Sequence, residues 1–192
     1  MYDMKTIKLL IFGLLIATNL NSQLVQIDID NSNIKWTGKE ITTKIHYGSL
    51  KFIKGEILFE KNKIVSGEFI VDMTTLNVED LTGSSKNYLE KHLRSNDFFS
   101  VKKHKQSSLI ITDSKLIESN KYMVNGILKI KGIENNISFV MNKVDDSSIN
   151  SNLTFDRTKY DVRYRSGNFF QNLGDKLIYD DIELEVSLTL IN

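Results

Sequence analysis

Three histidines, one arginine at the end of an apolar strand and an adjacent pair of aspartates are the side chains whose types invite a chemical reading. His46, His92 and His104 are far apart in the chain, and none shows the His-x-x-x-His spacing that brings two ring nitrogens to one metal. His92 falls in the one helical stretch and reads as a part-buried, hydrogen-bonded ring rather than a ligand. Asp180 and Asp181 could suggest paired carboxylates. Neighbours on a strand point to opposite faces, however, so the two cannot address one substrate. Cysteine is absent, which removes a thiol nucleophile, and there is neither a Gly-x-Ser-x-Gly elbow nor a glycine-rich phosphate loop. No catalytic residue, metal ligand or cofactor is expected. Arg157 is the charge that needs an account. It continues the inward parity of Leu153 and Phe155, and a buried guanidinium must be met by a carboxylate or several carbonyls. Asp97 or Asp180 would make it a structural pin; holding a ligand's polar head is the other use.

The elements that would position these side chains are mostly strands. Val25, Ile27 and Ile29 alternate with polar residues, and Ile34 with Trp36 opens a second strand. Ile57 and Phe59 share one face of Leu50–Glu60, and Phe69, Val71 and Met73 one face of Ile64–Met73. Ser108–Thr112 follows, then Tyr122, Val124, Leu128 and Ile130 on one parity, and Ile137, Phe139 and Met141 on another. Leu153 and Phe155 resume the pattern, which Tyr160, Val162 and Tyr164 carry on. The last strand alternates Ile182, Leu184, Val186, Leu188 and Leu190 with polar partners. Proline is absent, so Gly, Asn, Asp and Ser must make the turns.

One stretch breaks the rule. Leu89 and Leu93 sit four apart with Tyr88 and His92 beside them, the spacing of a short amphipathic helix. Ser84, Ser85 or Asn87 would cap it, Asn87 with Glu90 three places on. Phe98 and Phe99 follow at once and must bury against something. The piece reads as a lid over one end of an all-β, single-domain structure, a barrel in preference to a sandwich. Gly55, Gly67 and Gly126 hold inward positions, where missing side-chain volume implies either a bend or an open lumen.

The chain has 192 residues, 41% hydrophobic and 26% charged, the balance of a globular protein. Lys5 and Lys8, the apolar run Leu9–Ala17 and a polar close predict a secretory signal peptide over residues 1–22, too short for a membrane span, with Met4 competing with Met1 as the start. The barrel domain is then 23–192, located in the periplasm or secreted. Removing Lys5, Lys8 and Asp3 from 25 basic and 24 acidic residues leaves 23 of each, so no long-range pull toward nucleic acid remains.

Several segments resemble a known family. Tyr88-Leu-Glu-Lys-His-Leu-Arg-Ser-Asn-Asp-Phe-Phe-Ser-Val101 is similar to the "HL-x-S-x-DFF-x-V" signature of YceI-like proteins. Gly126-Ile-Leu-Lys-Ile-Lys-Gly132 resembles the family's "G-x-L-T-I-K-G", and Phe155-Asp-Arg-Thr-Lys-Tyr-Asp-Val-Arg-Tyr164 and Ile178-Tyr-Asp-Asp-Ile-Glu-Leu184 resemble its later elements. Loop Ser166–Gly174 is similar to that of the Bacteroidetes branch. His104-Lys105 departs from the aromatic-proline pair that often follows the lid, and Lys129 from the usual Thr. The resemblance implies an eight-stranded antiparallel lipocalin-like barrel, exported, binding a long isoprenoid or other amphiphilic lipid without catalysis.

On that reading the ligand-binding residues are Trp36, Ile57, Phe59, Phe69, Val71 and Met73 from the first strands, with Leu89, Leu93, Phe98 and Phe99 from the lid. Val124, Leu128, Phe139, Met141 and Phe155 continue the wall, and Arg157, Tyr164, Leu184 and Val186 complete it. A solid barrel whose Phe169-Phe170 loop docks a periplasmic or membrane-associated partner is the alternative. A homodimer stays open.

Overall fold

Strands with one apolar face each must share an interior, and here they do so by closing on themselves. The computed structural model describes residues 22–61 and 63–191. The strands are β1 (Ser22–Ile27), β2 (Asn33–Lys39), β3 (Ile45–Glu60), β4 (Lys63–Val78), β5 (Gln106–Glu118), β6 (Lys121–Ile130), β7 (Ile133–Lys143), β8 (Ser148–Asp156) and β9 (Asp181–Ile191), with α1 (Gly83–Arg94) between β4 and β5. Every pairing is antiparallel, and the order β3-β4-β5-β6-β7-β8-β9 returns to β3 through β1 and β2.

Nine segments make eight staves. β1 runs beside Glu56–Glu60 of β3, whereas β2 runs beside Ile45–Leu50, and both pair with β9. They share one place in the wall, separated by a turn in which Asp28 accepts the amides of Asp30 and Asn31. The result is the expected closed eight-stranded barrel. The leader expected over residues 1–22 lies, apart from Ser22, outside the described residues.

β3 and β4 run well past their expected lengths, because bulges break their alternation. The register shifts between Phe52 and Lys54, so inward parity passes from Phe52 to Gly55 and Ile57. A wider bulge spans Met73–Leu76. There Thr75 Oγ1 accepts the Lys51 amide at 2.9 Å and donates to the Asp72 carbonyl at 2.7 Å, while the Met73 amide goes to Lys105 O.

Two local expectations are corrected. Tyr160, Val162 and Tyr164 do not continue a strand: Arg157–Tyr160 is a 3-10 turn, and Asp161 is left-handed at φ 58°. Asp156 causes this by accepting the Thr158 amide at 2.8 Å, a local bond that competes with the ladder. Nor do Ser84, Ser85 or Asn87 cap α1, whose extended N-cap is Thr82. Glu90 instead reaches out of the helix to the Val78 amide at 3.0 Å, tying the lid to β4, and pairs with Arg94 one turn on in its own helix at 3.2 Å. Burial alone would raise the Glu90 carboxyl; those two bonds, with Lys86 nearby, leave it below the ordinary range.

After α1 the chain turns back on itself. The Phe99 amide donates to Leu93 O and the Val101 amide to Arg94 O, which seats Phe98 under the helix. Trp36, Leu76, Val78, Leu93, Phe98 and Val162 form a cluster at this end, distinct from the larger core.

Candidate functional site

The barrel is solid at one end and hollow at the other. In the solid end Ile57, Ile64, Ile111 and Val124 are almost wholly buried. Toward the lid a cavity of about 720 Å³ opens, within the roughly 300–1,000 Å³ usual for small-molecule sites. Its floor includes Phe52, Phe69, Phe139 and Met141, and the Phe52 and Phe69 rings stand 6.2 Å apart. Trp36, Val71, Met73, Leu128 and Phe155 line its sides, with Leu184, Val186 and Tyr164. Leu89, Leu93, Phe98 and Phe99 cover it from the lid. The exposed Ser84, Ser85 and Tyr88, with Lys39, Glu40, His46 and Arg165, mark where it meets solvent.

Four nominated residues stand elsewhere. Ile57 and Val124 belong to the packed end, because the β3 bulge and the tilt of the strands carry them below the floor. Phe59, near the end of β3, packs on the main core outside the cavity. Arg157 is fully buried away from it. Its guanidinium donates to Val162 O at 2.8 Å, Tyr179 O at 3.1 Å and Ile178 O at 3.1 Å, and pairs with Asp180 at 2.9 Å. Asp180, not Asp97, is the partner. Burial pushes the guanidinium below its ordinary value while Asp180 and Asp156 oppose the change, and arginine stays charged throughout. Through these four contacts Arg157 pins the 157–180 segment to the barrel mouth, and it lines no part of the cavity.

The glycines also act differently from a thinned wall. A Cβ on Gly55 would stand 2.4 Å from Ile27 Cδ1, and one on Gly126 would stand 2.6 Å from the Ile110 carbonyl oxygen. Neighbours fill the space those glycines leave, and none of Gly55, Gly67 and Gly126 borders the hollow.

Lining residues that sequence reasoning missed include Ile34, Leu50, Phe52, His92, Ile182 and Leu188. Ile34 has the parity of Trp36, and Ile182 and Leu188 that of Leu184, so the signal was present. Phe52 was hidden by the bulge. His92 sits between the Phe98 and Tyr164 rings, with centroids 5.0 and 4.5 Å away. Burial pushes its ring below the ordinary histidine value, Asp97 opposing and Arg165 assisting. Among the described residues no three His, Asp or Glu side chains gather as a metal site requires.

An apolar hollow under a helical lid, in a closed antiparallel barrel, is the architecture of a binding barrel. The YceI-like domain model matches residues 25–190, nearly the whole described chain, and the protein belongs to that family. Among solved structures the chain is similar to BcnA of Burkholderia cenocepacia, with TM-score 0.67 and 16% identity over 86% of this chain and 99% of that one. It is also similar to a polyisoprenoid binding domain from Saccharophagus degradans implicated in plant cell wall breakdown, with TM-score 0.57 and 10% identity over 89% and 98% of the two chains. A mutant YceI protein of Campylobacter jejuni follows at TM-score 0.55 and 18% identity, covering 72% of this chain and 81% of that one. At such identities the likeness concerns the fold. No curated protein matches the chain.

Proposed function

We propose that the protein is a non-catalytic carrier or sequestering protein for an amphiphilic long-chain lipid of the isoprenoid, isoprenoid-quinone or fatty-chain type. The observation that carries this reading is the cavity of about 720 Å³, walled by aromatic and aliphatic side chains beneath Leu89, Leu93, Phe98 and Phe99. Each tail carbon taken from water contributes roughly 0.8 kcal/mol, so about ten carbons supply roughly 8 kcal/mol, less the ordering costs. No charged group is needed for that, and the description of the Saccharophagus relative as a polyisoprenoid binding domain is consistent with it. Export to the periplasm or medium, with cleavage of residues 1–22, would place the barrel where such lipids must cross water.

Organic extraction of the protein purified from its own cell envelope, followed by mass spectrometry, tests the proposal. A lipid recovered near one per chain is expected. No stoichiometric lipid, and no uptake when the protein is challenged with lipid vesicles, would refute it. The hollow removes the premise of a solid barrel, although Phe169 and Phe170 remain about half exposed, with the Arg163 guanidinium over the Phe169 ring at 4.7 Å.

A further inference from the structure

Two buried side-chain polar atoms among the described residues have no polar partner: Trp36 Nε1 and His92 Nε2. A third, Asp180 Oδ1, has no directed hydrogen bond but holds the ion pair to Arg157 at 2.9 Å. Both unpartnered atoms belong to side chains that line the cavity. Two other polar groups on that wall are committed. Ser151 Oγ donates to Val140 O at 2.8 Å, and His46 Nδ1 lies 2.7 Å from Asp80 Oδ2.

The two rings also share a neighbourhood. Trp36 is 8% exposed and clusters with Leu93 and Phe98, while the Phe98 ring is 5.0 Å from that of His92. A buried donor without an acceptor forfeits the bond it makes in water, so such groups are normally satisfied by protein, water or ligand.

We propose that the lid end of the cavity is an oxygen-recognition site, where a neutral hydroxyl or carbonyl on the lipid accepts the Trp36 Nε1 hydrogen and meets His92 Nε2. The tail then runs down to the Phe52 and Phe69 floor. The site rests on the binding function proposed above and adds what the cargo must carry. Indole only donates, so the head must offer a lone pair, which an ammonium lacks. Burial favours the uncharged His92 ring, which brings no counter-charge to a carboxylate leaving water. The Arg165 guanidinium at the mouth lies over the Tyr164 ring, 5.1 Å from its centroid.

Trp36 is the chain's single tryptophan, so its indole gives one ¹H–¹⁵N resonance that needs no assignment. The probes are geranylgeraniol and its hydrocarbon analogue lacking the hydroxyl. The alcohol should move the indole proton downfield as a new hydrogen bond does, and the hydrocarbon should not. By partitioning of labelled probe, the alcohol should bind about tenfold tighter than the hydrocarbon, after correction for their different solubilities. In H92F and in W36F that preference, read as the ratio of alcohol to hydrocarbon affinity within each variant, should shrink toward unity. Equal indole shifts from the two probes, or an unchanged preference in both variants, would overturn the site. Binding of neither probe to the unmutated protein would instead overturn the carrier function beneath it.

Discussion

Val71→Phe and Val124→Phe place the same larger side chain at the two ends of one barrel, and the hollow decides their fates. Val124 is wholly buried, stands opposite Ser114 and Phe139 in the sheet, and borders no part of the cavity. Adding a ring to a filled core forces neighbours off their rotamers and costs about 1–3 kcal/mol or more. Val71 faces the cavity of about 720 Å³. The added carbons, about four, can enter it, and at roughly 0.8 kcal/mol each they offset the ring's lost rotamer freedom. The empty protein should therefore keep its stability to within about 1 kcal/mol. Those carbons take room from a lipid tail, however. Losing space for about four methylenes is worth up to about 3 kcal/mol, or roughly a hundredfold in affinity for a tail that fills the lumen. Urea unfolding of the delipidated variants, followed by Trp36 fluorescence, reads the first quantity, and titration with a long-chain alcohol reads the second. If Val71→Phe costs as much stability as Val124→Phe, the lumen is packed and the reasoning fails.

Other consequences follow from single contacts. Arg157→Met keeps the length but leaves Asp180 Oδ1 and three carbonyls without their donor, so a loss of about 3–5 kcal/mol is expected from the urea midpoint; a loss under about 1 kcal/mol would mean that the pin carries no load. Gly126→Ala meets the Ile110 carbonyl oxygen at 2.6 Å, whereas Gly38→Ala meets only Ile182 Cδ1 at 3.5 Å, so thermal unfolding should fall for the first and stay near the parent for the second. The folded His92 ring resists protonation more than the unfolded one, so unfolding takes up a proton as pH falls below about 6.5 and stability drops there. His92→Phe should flatten that fall between pH 7.5 and 5.5 relative to the parent; identical slopes would show that this ring is not its source.

The fold was legible wherever alternation ran unbroken. β9, with Ile182 to Leu190 on one parity, and the β6–β7 pair carried it, as did the spacing of Leu89 and Leu93 in the lid. Bulges hid the rest. Ile53 and the Met73–Leu76 segment shift parity, so half of β3 and β4 and the floor residue Phe52 could not be placed by counting twos. Parity states which face a residue takes but not its height along a tilted stave, which is why Ile57 and Val124 looked like lining and are packing. Arg157 was recognisable as a buried charge, and the choice between Asp97 and Asp180 needed the 3-10 turn that Asp156 sets. The glycines misled because absent side chains reveal nothing of what neighbours such as Ile27 do with the space.

A crystal structure of the protein with a long-chain alcohol brominated at its tail end would place the cargo without inference. One anomalous peak inside the wall formed by Phe52, Phe69, Phe139 and Met141 is the predicted result. Bromine found only outside the barrel, with the protein's own side chains filling that space, would contradict the account.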